Sequence, residues 1–160
     1  MQRATPPGRA LSLKGRALRY LSQREHSRSE LARKLTPHAE SEEQLNTVLR
    51  QLASEGWLSE ARFAQSLAHR RSQRYGIRRI AAELSTHGLQ EADQAAVLAD
   101  LQQTEAQRAS QCWARRFKQA PQSALEWSKQ QRFLLQRGFT PQVVRQVLQQ
   151  ASQAISDTVS

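Results

Sequence analysis

Cysteine occurs once in this chain, as Cys112, so no disulfide can form within it and an oxidising compartment is not implied. Glycine is scarce, and nowhere falls in a GxGxxG or GxxxxGK[ST] pattern, which excludes the familiar phosphate-cradling loops. No serine stands in a GxSxG elbow. The four histidines, His26, His38, His69 and His87, have neither HExxH spacing nor paired cysteines nearby, so no zinc site is expected. His38-Ala39-Glu40 matches the HxE half of the zinc-deaminase pattern, but its PCxxC half is missing. No cofactor and no catalytic residue is expected, and nothing points to an enzyme. Long apolar runs are missing too. Ala95-Ala96-Val97-Leu98-Ala99 is among the longest, and the basic N-terminal stretch lacks the apolar core of a secretory signal. The expectation is a soluble, cytoplasmic protein with no membrane partner.

Strand signals are also lacking. Val, Ile and aromatic residues do not alternate with polar ones, and no Asn-Gly or Asp-Gly turn occurs. What fills the chain instead is Leu, Ala, Gln, Arg and Glu, which lose little freedom in a helix. Apolar residues recur at helical spacing, as in Leu45, Val48, Leu49 and Leu52. End chemistry marks the boundaries. Ser27 with Glu30 and Ser41 with Gln44 fit the capping box, Thr140-Pro141 supplies a cap and a pre-set first turn, and Gly56, Gly88 and Gly138 stand at helix ends. Helices are predicted near 11–24, 28–35, 41–55, 59–74, 77–87, 90–102, 105–119, 123–137 and 140–153.

These helices repeat in threes. Leu18, Leu35 and Leu49, then Leu67, Leu84 and Leu98, then Phe117, Leu134 and Leu148, share one spacing, and the Val-Leu pair recurs at 48–49, 97–98 and 147–148. The fold class expected is all-α: three tandem three-helix repeats forming an elongated, curved array, at 11–55, 56–102 and 103–153. An N-terminal disordered arm at 1–10 and a frayed tail at 154–160 complete the division. One such repeat is too small to bury much surface alone, so packing between neighbours has to supply part of the stability.

Charge follows the same period. The chain has 24 Lys and Arg against 14 Asp and Glu, a net charge of +10, which suits an acidic partner such as nucleic acid or a nucleoprotein. Residues 62–80 hold 6 basic and no acidic side chains, and 108–145 hold 8 and 1, whereas 81–107 hold none and 5. Basic blocks therefore cover mainly the first two helices of each repeat and acidic blocks the third, which would set positive patches in a row. The densest cluster is Arg70, Arg71, Arg74, Arg78 and Arg79. It reads either as a solvated helix end, where cations suit the dipole, or as a surface for phosphate or carboxylate. Arg71 falls on the apolar side of its helix, so its stem should be packed and its head paired or reaching water. Cys112 lies on a core face and reads as a buried structural thiol; Trp57 and Trp127 read as core anchors rather than base-stacking platforms.

The stretch Gly56-Trp57-Leu58-Ser59-Glu60-Ala61-Arg62-Phe63-Ala64, followed by Tyr75-Gly76-Ile77-Arg78-Arg79-Ile80, Glu83-Leu84 and Gly88-Leu89, resembles the signature of the RecX family of RecA regulators. The resemblance spans about residues 14–150 and is strongest in the second repeat; Ser59-Glu60 stands where the family usually has an acidic pair. It implies a curved array of three-helix repeats that lies in the groove of the RecA–single-stranded DNA filament; a monomer is expected. It further implies inhibition of recombinase, ATPase and co-protease activities, and so regulation of recombination, DNA repair and the SOS response. The contact surface expected on this chain is Arg62, Arg70, Arg74, Arg78 and Arg79, extended by Arg115, Arg116, Lys118 and Arg132. The alternative is a direct DNA-binding helical module that acts by occupying the DNA.

Overall fold

The computed structural model describes residues 10–158, with side chains up to residue 155. Most of the arm expected at 1–10 lies outside that range, as do residues 159–160 of the expected tail. Among the described residues the chain is all helix: α1 (Leu13–Gln23), α2 (Arg28–Leu35), a 3₁₀ turn (Thr36–His38), α3 (Glu42–Ser54), α4 (Glu60–Ser72), α5 (Ile77–Ser85), α6 (Glu91–Arg116), α7 (Ala124–Gln136) and α8 (Pro141–Thr158). No helix among them is long and apolar enough to cross a membrane.

The local signals act as the sequence requires. The Ser27 hydroxyl accepts from the Glu30 N–H at 3.1 Å and Ser41 from Gln44 at 3.1 Å. Gly56, Gly88 and Gly138 carry positive φ at the ends of α3, α5 and α7. Two boundaries differ. Helices expected at 90–102 and 105–119 are one helix, α6, because the intervening Gln102-Gln103-Thr104 contains neither glycine nor proline to stop it. The last helix, expected to end at 153, continues to Thr158.

The chain divides into two compact units, Met1–Glu60 and Ala61–Ser160. In the first, α1 to α3 enclose a core that includes Leu31, Leu35, Leu49 and Leu52, each at most 1% exposed. The second holds two cores. Phe63, Leu67, Ile80 and Leu84 of α4 and α5 pack with Val97 and Leu101 from the start of α6. Leu134, Val144, Val147 and Leu148 of α7 and α8 pack with Ala109 and Cys112 from its end. Helix α6, at 26 residues about 39 Å long, is thus a wall of both. Cys112 is buried as expected, and Trp127 packs against the third core. Trp57 corrects its expectation. It is 55% exposed, because beyond the turn at Gly56 it is Leu58, 5% exposed, that enters the first core.

Candidate partner-binding groove

Two turns of the second unit meet back to back. The Gly76 N–H donates to the Arg137 carbonyl at 2.8 Å, and the Arg78 N–H donates to the Gly138 carbonyl at 3.0 Å. The approach is possible only without side chains. A Cβ on Gly76 would lie 2.2 Å from the Phe139 nitrogen, and one on Gly138 would lie 2.5 Å from the Cβ of Arg79. Gly138 also has φ +87°, a conformation costly for any residue with a Cβ. This crossing joins the α4–α5 turn to the α7–α8 turn, and both carry arginine.

Beside it opens a groove of about 860 Å³, lined by Gln73, Arg74, Tyr75 and Arg79 from the first turn, Cys112, Arg115 and Arg116 from α6, and Phe133, Gln136 and Arg137 from α7 and its end. Five of these ten residues are arginines and none is acidic. The Arg79 guanidinium lies over the Tyr75 ring, 3.9 Å from its centre. Arg137 lies 4.9 Å from the centre of Phe133 and 5.9 Å from that of Tyr75. Aromatic faces thus hold two guanidinium groups by cation–π attraction, so they are not free platforms for stacked bases. Arg115 donates to the Gln73 carbonyl at 2.6 Å, which anchors its position without neutralising it.

Four of the nine expected contact residues, Arg74, Arg79, Arg115 and Arg116, come together in this groove. Arg116 also lines a smaller depression with Lys129, Arg132, Phe117 and the exposed Leu125. Lys118 lies elsewhere, in a hollow that includes the acidic Glu126. Arg62, Arg70 and Arg78 are exposed outside the groove, Arg70 with its Nε turned to the Ser66 carbonyl at 3.4 Å. Sequence reasoning passed over Arg137, Tyr75 and Phe133. Their signal was present: Arg137 precedes the glycine that ends α7 inside the basic block, and Tyr75 adjoins Gly76.

Arg71 stands apart from the cluster by its pairing. It donates to Glu83 through Nε at 3.0 Å and Nη2 at 2.9 Å, and this hydrogen bonding raises its pKa further. Its side chain is 44% exposed, and its head is paired, one of the two expected states. Arg108, half-buried, holds the floor of the first turn: its Nη1 donates to the Ser72 carbonyl at 3.1 Å and to Tyr75 at 2.9 Å. Burial lowers its pKa from the usual guanidinium value. With three main-chain carbonyls as its acceptors, including Leu101 at 3.0 Å, it is spent on structure rather than on a partner.

Three-helix domains of RecX match this chain in succession, the first over residues 14–52, the second over 59–98 and the third over 103–148. The Regulatory protein RecX of Ralstonia pickettii is 49% identical over 151 residues, covering 94% of this chain and 95% of its own. That of Leptothrix cholodnii is 51% identical over 141 residues, covering 88% and 90%. The crystal structure of RecX from Lactobacillus salivarius shares the fold, with a TM-score of 0.74 at 19% identity over 88% of this chain and 95% of that one.

Proposed function

This chain belongs to the RecX family, and on that premise we propose that it restrains RecA by setting its arginine groove against the RecA–single-stranded DNA filament. RecX proteins are regulators that modulate RecA and are not enzymes. The finer reading concerns how. One observation carries it: five arginines converge on a groove whose lining has no carboxylate to neutralise them. An acidic surface would supply acceptors for their N–H groups, and guanidinium forks match carboxylate and phosphate alike. A filament presents such a surface again at each protomer, so several modest contacts made by one chain reinforce each other. Occupying that surface would slow ATP hydrolysis, strand exchange and co-protease activity together, in the cytoplasm where RecA works.

The test is ATP hydrolysis by RecA on single-stranded DNA, followed against the concentration of this protein. Replacing Arg74 and Arg79 together by Glu should raise the concentration for half-inhibition by about 100-fold, since each reversal removes a charge-assisted contact and adds repulsion. Helicity by circular dichroism should be unchanged. Full inhibition by the double variant would reject the groove as the contact surface. A second reading, occupation of the DNA itself, draws on the net charge of +10 and is separated by salt, as argued below.

A further inference from the structure

We propose that Glu105 is a positioning residue for the groove, a buried carboxylate from α6 that fixes the two turns bearing its arginines. The proposal rests on the groove being the partner-contact surface. Glu105 is 2% exposed, and a carboxylate so placed costs free energy unless its oxygens are well supplied with donors. They are. Its Oε1 accepts from the Ile77 N–H and from the Thr140 N–H, both at 3.2 Å, and its Oε2 accepts from the Thr140 hydroxyl at 3.1 Å. Ile77 opens α5 and Thr140 immediately precedes α8, so one carboxylate accepts an N–H at the start of each of two helices.

The need for it follows from the glycine crossing. Gly76 is the N-cap of α5 and has no side chain to cap with, because any side chain would strike the backbone of Gly138 and Phe139. Thr140, at the start of α8, donates both its N–H and its hydroxyl to Glu105. One acceptor from a third helix thus ties the two helix starts together. One turn further along α6, Arg108 grips the carbonyls of Ser72 and Tyr75. Tyr75 and Arg79 flank the end held by Glu105, and Arg137 adjoins the Gly138 turn, so the relative position of these side chains depends on that carboxylate.

The experiment compares Glu105→Ala, Glu105→Gln and Thr140→Ala with the unaltered protein in the RecA ATP-hydrolysis assay at several salt concentrations, alongside hydrogen exchange of the Ile77 and Thr140 amides. Glu105→Ala should keep its helicity, lose protection at both amides, and need about tenfold more protein for half-inhibition, as expected for lost charge-assisted bonds. Its salt dependence should be shallower, because arginines out of register make fewer ion contacts at once. Glu105→Gln, which keeps the acceptor for both N–H groups, should stay within about threefold of the unaltered protein. Thr140→Ala gives the milder perturbation should Glu105→Ala fail to fold, and should fall between the two. A variant that merely unfolds in part loses active fraction with an unchanged salt slope, and that result would overturn the proposal. So would unimpaired inhibition by Glu105→Ala, or by Thr140→Ala if only that variant folds. If Arg74→Glu with Arg79→Glu also leaves inhibition intact, the groove reading falls and takes this one with it; if the double reversal weakens inhibition while the Glu105 and Thr140 variants do not, only the positioning role falls.

Discussion

Single residues decide more here by what they exclude than by what they touch. Gly76 has an ordinary φ of −80°, so its requirement is space rather than conformation. Replacing it by Ala puts a methyl against backbone atoms that cannot rotate away, at 2.2 Å from the Phe139 nitrogen and 2.4 Å from the Gly138 oxygen. Gly76→Ala should therefore destabilise by about 3 kcal/mol, the upper end for overpacking, read from denaturant unfolding. Gly56→Ala, where nothing lies within 4 Å and only the positive φ of +81° is strained, should cost roughly 1 kcal/mol. Equal costs at the two sites would contradict the close approach.

His26 shows the same dependence on surroundings. Its Nδ1 donates to the Arg24 carbonyl at 3.0 Å and its Nε2 faces the Lys34 ammonium at 3.1 Å, so Nε2 must be an acceptor and the ring neutral. Burial lowers its pKa from the ordinary 6.5. The unfolded chain then binds the proton more readily, so stability is full above about pH 6.5 and declines as pH falls below it. Its neighbour Glu30, hydrogen-bonded by Arg24, is held down to about 2, and its contribution is complete above 4.5 and lost as pH falls toward 2. Thermal midpoints of the first unit should drop in two stages on acidification. His26→Gln should flatten the upper stage and Glu30→Gln the lower.

At the scale of elements, helix α6 organises the second unit. Its first half closes one core, its second half closes another, and Glu105 and Arg108 between them hold the turn that bears Arg74, Tyr75 and Arg79. The first unit solves a similar problem with different residues. The Arg28 N–H, at the start of α2, is accepted by Glu60 at 2.6 Å, so again a carboxylate from a later helix meets a second helix of a repeat at its first amide. Arg28 and Ile77 are equivalent positions in the repeats, but Glu60 and Glu105 are not. The period is therefore legible in the hydrophobic spacing and not in the polar contacts that fasten it, because an acceptor can come from any element that passes close enough.

At the scale of the whole molecule, net charge is what a partner meets first. A chain with a net charge of +10 draws an acidic partner from a distance, and this attraction is screened as salt rises. Direct DNA binding should weaken steeply with salt through counterion release. Inhibition through a protein filament should persist further, because it also draws on contacts with RecA itself. At a salt concentration where binding to naked single-stranded DNA is undetectable by fluorescence anisotropy, inhibition of ATP hydrolysis should remain measurable. Simultaneous loss of both would favour occupation of the DNA instead.

Most helices, their triple period and the alternation of basic and acidic blocks are legible along the chain. Each of these is written within a few residues, in side-chain spacing, capping hydroxyls and glycines. Packing settles which arginines share a groove, that Arg137 joins Arg74 and Arg79, that Arg71 is paired with Glu83, and that Leu58 rather than Trp57 enters the core. Those outcomes depend on distant stretches of chain meeting: Gly76 lies on Gly138 between two cores that pack on either end of α6. A pattern read along the chain registers which residues are basic, and the packing of one turn against another selects those that share one groove.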